Sequence, residues 1–417
     1  MTWISRLHRS LFIGSLLLMW LHLAGQIQGL DLLGRKHRII VPFEIQQGFI
    51  IVQVEFENVV PLKMIFDTGA ENTILFDKEI CQVLGVRFER QISITGSDLD
   101  SMLLANIARS TKMRLESCRK VDRDIIVLEK NDLLLKEKLG IDVNGILGGS
   151  FFSNLVVTID YRRKQIILSH PAHFKEPGDK FTEFDIDVRS KKPYLMANVT
   201  HADNSQKLAN FLLDTGASLP FLIHANTDTS LLLPDRVMVG NVGFGLSGVM
   251  KGYLGHTKML KFGDFQFENI ATSFQDIQLD SLELTRIVRN GIIGNNLLRR
   301  FKVIINYPAE KLYLDPVRNY NKEFDYDKSG LTIFAVGPNL NQYFIVSVIV
   351  GSPAYKAGIR PGDIIHSIGA RRASSLDLQD ITRRLAQKTG KKIKMRLIRN
   401  GEKFKTEFIL SDWFEEI

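Results

Sequence analysis

Asp67-Thr68-Gly69-Ala70-Glu71-Asn72-Thr73-Ile74-Leu75 is the stretch on which the reading of this chain turns. It follows an apolar run, residues 62–66, and it has a counterpart: Asp214-Thr215-Gly216-Ala217 follows a second apolar run, residues 211–213. Each copy also has a landmark downstream. Gly145-Ile146-Leu147-Gly148 leads to Ile159-Asp160-Tyr161, and Gly291-Ile292-Ile293-Gly294 leads to Ile305-Asn306-Tyr307. The leading glycine lies 78 residues beyond Asp67 in one copy and 77 beyond Asp214 in the other, and 16 residues separate it from the tyrosine in both. Landmarks kept in register over such a length mark a duplicated structural unit.

Within each unit the local pattern is mostly strand. Residues 50–56, 59–66, 155–159 and 165–168 are short runs rich in β-branched and aromatic side chains, separated by turn residues. Residues 194–200 and 208–213 bracket a polar turn at 201–207, the pattern of an antiparallel hairpin that delivers Asp214 at its end. Helical stretches are few, residues 131–139 being the main one in the first unit. The pattern predicts an all-β pair of lobes, residues 30–172 and 173–318.

The Asp67 segment closely resembles the active-site segment of the retroviral proteases. Ile146-Leu147-Gly148 and Ile292-Ile293-Gly294 resemble the segment that closes the loop around that site. The resemblance covers about residues 35–318. It implies two retropepsin-like closed-barrel lobes forming a pepsin-like bilobal unit, in which Asp67 and Asp214 are the catalytic pair of an aspartic endopeptidase. The chemistry accounts for the residue types. Peptide hydrolysis needs one carboxylate to take a proton from water while another acid protonates the carbonyl. Two aspartates about 3 Å apart cannot both ionise, so they share a proton and their apparent values separate, as a property of the pair. By the same resemblance Thr68 and Thr215 hydrogen-bond across the junction, with Ala70 and Ala217 completing the two loops. Gly69 and Gly216 let backbone approach the carboxylates where a Cβ would intrude.

Other acids have a simpler reading: Asp77, Asp160 and Asp264 begin turns and satisfy nearby amides. The nine histidines show no metal-ligand spacing, so neither a metal nor a cofactor is expected. Retropepsins cover bound peptide with flaps. The second unit packs Gly240, Gly243, Gly245, Gly248, Gly252 and Gly255 into 16 positions, which reads as a mobile loop too glycine-rich for a strand interior. The matching stretch of the first unit, residues 94–108, contains only Gly96, so the two flaps are expected to differ.

Beyond a polar linker at residues 319–329, Gly351-Ser352-Pro353-Ala354, Ala357-Gly358, Pro361-Gly362-Asp363-Ile364-Ile365 and Ile368-Gly369 resemble, in order, the PDZ domains attached to secreted bacterial proteases. The resemblance covers residues 330–410 of a third unit, 330–417, and residues 376–387 have the apolar spacing of an amphipathic helix. Such domains add an extended peptide to a sheet edge beside a helix, while loop amides hold its terminal carboxylate. Here the resemblance assigns that loop to Gly330-Leu331-Thr332-Ile333, with Thr332 where a glycine is usual.

Arg6, His8 and Arg9 precede an apolar run of residues 11–24 and small or polar residues to Gly29, the order of an export signal, residues 1–29. That run falls short of the roughly 20 residues a spanning helix needs, so secretion or a periplasmic location is expected, with an uncleaved segment as the membrane-anchored alternative. Cys81 and Cys118 could pair or stay as buried thiols. The net charge of +8 is spread without a basic stripe, which argues against a nucleic-acid partner. The expected partners are protein or peptide substrates and a peptide ligand of the PDZ domain. With two aspartates per chain, a monomer suffices for catalysis. The competing reading is a catalytically inert scaffold that binds peptides through the PDZ domain.

Overall fold

The computed structural model describes residues 30–96, 102–131, 135–245, 248–277 and 289–412. Residues 1–29, read above as an export signal, and the tips of both candidate flaps lie outside these residues. The architecture is all-β, as expected: two closed-barrel lobes and a small C-terminal α+β unit.

In lobe 1, Phe49–Phe56 and Val60–Phe66 form a hairpin with Ile51 opposite Ile65. The sheet runs on through Gly145–Leu147, Ile74–Leu75 and Val121–Leu128 to Met102–Leu115, which pairs back onto Phe49–Phe56 and closes the barrel. Lobe 2 repeats the path through Lys192–Thr200, Gln206–Asp214, Gly291–Gly294, Phe221–His224, Phe265–Gln275 and Gly248–Phe262, closing onto Lys192–Thr200. Closure leaves no strand of the ring with an unpaired edge. Alternation fills each barrel: Val52, Val54 and Leu62 face the interior of lobe 1, while Lys63 and Gln53 face out.

Two sequence expectations need correction. The strands read at residues 155–159 and 165–168 are not part of the first barrel. Val156–Asp160 and Gln165–Ser169 belong to a separate six-stranded sheet, with Arg38–Pro42 on one side and Phe301–Asn306, Lys311–Pro316 and Thr182–Asp185 of lobe 2 on the other. At its centre Val156–Asp160 runs antiparallel to its own counterpart, with Val157 opposite Ile305. Every residue of Val156–Asp160 is buried, so the strand shows no polar face by which to place it. The glycines of the second flap are the other correction. They lie inside a paired hairpin, Met238–Gly245 with Gly248–Phe262, where Gly240 faces Gly252. A Cβ on Gly252 would meet the Phe274 carbonyl at 2.2 Å, so the glycine serves close strand packing. Lobe 1 forms the same hairpin from Phe88–Thr95 and Met102–Leu115 with almost no glycine, because alternation rather than glycine content specifies it. The flaps therefore correspond after all.

The C-terminal unit arranges Leu331–Val336, Gln342–Val348, Ile364–Ile368, Lys392–Arg399 and Glu402–Ile409 in one sheet, with its own core around Tyr343, Ile345, Ile365 and Leu397. The amphipathic helix is Leu378–Leu385. Asp377 caps it by accepting from the Asp380 amide at 2.6 Å, and Leu378, Ile381 and Leu385 bury one stripe. Buried Asp363 is held by a two-pronged pair with Arg399 at 2.7 and 2.8 Å. Cys81 and Cys118 are both buried and unpaired, and burial pushes each thiol up to about 12.

Candidate active site

Each barrel delivers its aspartate at the end of a strand that runs parallel to the downstream Gly-apolar-apolar segment. Val60–Phe66 pairs with Gly145–Leu147, and Gln206–Asp214 pairs with Gly291–Gly294. Gly148 and Gly294 let these segments close under the aspartate loops. A Cβ on Gly148 would meet the Asn72 carbonyl at 2.3 Å, and one on Gly294 the Leu219 carbonyl at 2.1 Å. The apolar members Leu147 and Ile293 fill the barrel cores, while Ile146 and Ile292 line the cleft between the lobes.

The two loops meet across the junction with near-exact reciprocity. The Thr68 hydroxyl donates to the Leu213 carbonyl at 2.7 Å and accepts from the Thr215 amide at 3.0 Å. The Thr215 hydroxyl donates to the Phe66 carbonyl at 2.8 Å and accepts from the Thr68 amide at 3.0 Å. Both threonines are wholly buried, so these four bonds satisfy groups that have no access to water. They fix the two carboxyl groups relative to one another.

Asp67 and Asp214 are hydrogen-bonded to each other at the floor of the cleft. One Asp67 oxygen accepts from the amides of Gly69 and Ala70 at 2.6 and 3.0 Å, and one Asp214 oxygen accepts from the amide of Gly216 at 2.7 Å. Each glycine packs against the opposite carboxyl group. A Cβ on Gly69 would lie 2.4 Å from the Asp214 Cγ, and one on Gly216 would lie 2.3 Å from the Asp67 Cγ. Burial raises Asp67 well above the usual carboxylate range, and the charge of Asp214 and the bond between them raise it further. Burial raises Asp214 as well, but the bond from Asp67, the Gly216 amide and the nearby Arg289 and Lys192 work against it. Both carboxyl groups are raised and they share one proton, which belongs to the pair.

A cavity of about 590 Å³ lies over the pair. Lobe 1 walls it with Phe49, Ile65, Ile74 and Ile146, and lobe 2 with Leu219, Leu222 and Ile292. Ile94 and Gly96 of one flap and Val242, Gly243 and Met250 of the other border it from above. Two cations, Lys192 and Arg289, share this space with the aspartates. Sequence reading passed over both. The signal was available in the repeat, since Arg289 directly precedes Asn290-Gly291 where Val143 precedes Asn144-Gly145.

The C-terminal unit touches both lobes but stays away from the aspartates. Gly140, just past the lobe 1 helix Leu135–Leu139, fills the gap between the sheet edge Leu331–Val336 and the helix Leu378–Leu385. A Cβ there would meet Leu378 at 2.7 Å and Ala335 at 3.4 Å. Lys138 lies over the Phe334 ring, and Gln47 contacts Gln379 and Thr382. On the other lobe, Asn241 of the flap donates to Thr332 at 3.3 Å, beside a cavity of about 660 Å³ that Gly330, Leu331 and Thr332 help to line. The Gly330 amide is spent on the buried Asp327 carboxylate at 2.6 Å, the Leu331 amide on the Ser329 hydroxyl at 3.3 Å, and Ile333 is a buried core residue. The loop thus turns the first two of its amides inward rather than toward a ligand.

Residues 344–399 match the PDZ domain family. Among solved structures, the chain is similar to an aspartic proteinase from Irpex lacteus, with 14% identity and a TM-score of 0.42 over 68% of this chain and 98% of that one. No curated protein matches the chain in sequence.

Proposed function

We propose that the chain is an aspartic endopeptidase with a single intramolecular dyad, Asp67 and Asp214. The observation that carries this reading is the pairing of two carboxyl groups, Asp67 buried and Asp214 half-buried, held by matching glycines and threonines at the floor of an open cleft. Burying two like acids costs stability, and nothing structural requires both. The pair supports hydrolysis in a definite way. Asp214, ionised, takes a proton from a water lying between the carboxyl groups as that water attacks the peptide carbon. Protonated Asp67 gives its proton to the carbonyl oxygen, and the tetrahedral intermediate then collapses with proton transfer to the departing amine. A monomer contains the complete site, and substrates are proteins or peptides. The order of charged, apolar and small residues at the N-terminus supports a location outside the cytoplasm, secreted or periplasmic, with a membrane-anchored form as the alternative.

The PDZ domain is assigned a gating role. Its strand-to-helix groove, the place where a peptide would add to the sheet edge, is covered by Gly140 and the helix that contributes Leu135 to the cleft wall. A peptide entering that groove has to move a segment that lines the cleft. The test is hydrolysis of denatured casein from about pH 3 to 8, the range over which a coupled dyad titrates. The reading requires cleavage by the wild type and its loss in Asp67→Asn and Asp214→Asn with the fold retained. An inert wild type at every pH would move the peptide-binding scaffold to the front.

A further inference from the structure

The two lobes share one strand order and comparable register, and three positions that this register makes equivalent differ in kind. Ile51 faces Ile65 and Tyr194 faces Leu212 in the matching hairpins, so Lys192 takes the place of Phe49. The Phe76 amide donates to the Asn144 carbonyl and the His224 amide to the Asn290 carbonyl, each at 2.8 Å, so His224 takes the place of Phe76. Arg289, preceding Asn290, takes the place of Val143. In lobe 1, Phe49, Phe76 and Val143 belong to one apolar cluster. In lobe 2 the same three sites hold two cations and an imidazole.

This polar trio is left incomplete. Arg289 donates its Nε–H to His224 Nε2 at 3.2 Å, which fixes the imidazole proton on Nδ1. Among the described residues, Nδ1 is buried without a partner, and so is Nη2 of Arg289. Burial and the guanidinium charge keep His224 neutral. Lys192 and Arg289 form no ion pair among the described residues. The anions acting on Lys192 are Glu71, Asp214 and Asp67, of which the last two are occupied with each other and with loop amides. Buried donors without acceptors beside Lys192 and Arg289, which form no ion pair among the described residues and line the lobe 2 side of the cleft, are a site built for an oxyanion.

We propose that Lys192 and Arg289, with His224 positioning the guanidinium, form a carboxylate-binding subsite of the cleft. The favoured substrate then carries a carboxylate near the bond to be cut, either an acidic side chain or the chain's own C-terminus. This rests on the peptidase reading for its turnover test, and on binding alone for a second test.

Cleavage sites in denatured casein, mapped by mass spectrometry, should show Asp or Glu enriched at one fixed position for the wild type. Synthetic peptides spanning a preferred site separate the two sources. Loss of cleavage on Glu→Gln exchange points to a side chain, and loss on C-terminal amidation points to the terminus. Lys192→Met should raise KM for the carboxylate peptide about tenfold to a hundredfold more than it raises KM for the Gln or amidated peptide, the range expected of a charged hydrogen bond. Lys192→Arg should retain most of the preference. Binding of the same fluorescent peptides to the uncleaving Asp67→Asn protein is the second readout, with the acid favoured over the amide by a similar factor. Cleavage or binding that ignores both Glu→Gln exchange and amidation overturns the subsite. Acid-selective binding in a protein that never cleaves would keep the subsite and reject the peptidase.

Discussion

Lobe 1 and lobe 2 follow one backbone plan but wall the cleft differently. Both close a barrel through the same six strands, both end the central hairpin at Asp-Thr-Gly, and both lay a glycine-led triplet beneath it. At the junction they are interchangeable, hydroxyl for hydroxyl and amide for amide. Away from it they part company: the apolar cluster of Phe49, Phe76 and Val143 has Lys192, His224 and Arg289 as its counterparts, of which Lys192 and Arg289 line the cleft. The comparison teaches that symmetry is kept where the two halves must meet and relaxed where each half meets something else. Even within the pair the asymmetry is felt, because Arg289 and Lys192 work against the raising of Asp214 by burial.

The symmetric part is the easiest to break. Gly69→Ala and Gly216→Ala each place a methyl group inside the space of the opposite carboxyl group. Each should lower kcat/KM for casein by at least about a hundredfold, the cost of displacing a reacting group by about 1 Å. Similar losses in the two variants support equivalence; a loss confined to one would show that only one lobe is catalytic. Thr68→Val strands the buried Thr215 amide and Leu213 carbonyl, and Thr215→Val strands their counterparts. Each should cost about 2–6 kcal/mol in denaturant unfolding, from two unsatisfied groups at about 1–3 kcal/mol apiece. The double variant should cost less than the sum, since the bonds form one network.

The asymmetric part gives smaller effects. Because Asp67 binds its proton more tightly when folded than when unfolded, stability falls as pH rises from its unfolded value near 4 toward its folded one, by about 1.4 kcal/mol per pH unit, and stays low above. Asp67→Asn removes that loss. Its melting temperature should exceed that of the wild type at pH 7 and draw level below about pH 4, the unfolded value. Equal gaps at both pH values would mean the carboxyl group is not perturbed by burial and its neighbour. The smallest effect concerns the pH profile. Arg289 and Lys192 both lower Asp214, so in Lys192→Met the acid limb of kcat should move to higher pH, by less than about one unit for a single half-exposed cation. No movement would show that Lys192 does not act on the pair.

Much of the junction was legible in the sequence because it depends on residues with few substitutes. Only glycine fits at Gly69, Gly216, Gly148 and Gly294, and the spacing of those glycines repeats. The six-stranded sheet between the lobes was not legible. Its central pair joins Val156–Asp160 to Phe301–Asn306 across a long stretch of chain, and a strand buried on both faces carries no alternation to announce its partner. The flap of lobe 1 was underrated because glycine was taken as its sign, whereas the paired strands Phe88–Thr95 and Met102–Leu115 need none. Lys192 stayed hidden because the hairpin from Lys192 to Asp214 is four residues longer than its counterpart from Phe49 to Asp67, which shifts the simple offset between copies. Only the strand register aligns it with Phe49.

The most direct test of a single dyad shared by the two lobes is to mix the Asp67→Asn and Asp214→Asn proteins in equal amounts and measure casein hydrolysis against the wild type. An intramolecular dyad predicts an active wild type, two inactive variants and an inactive mixture, since no chain in the mixture holds both aspartates. Recovery of activity on mixing would place the dyad between chains, and an inactive wild type would remove the dyad from catalysis altogether.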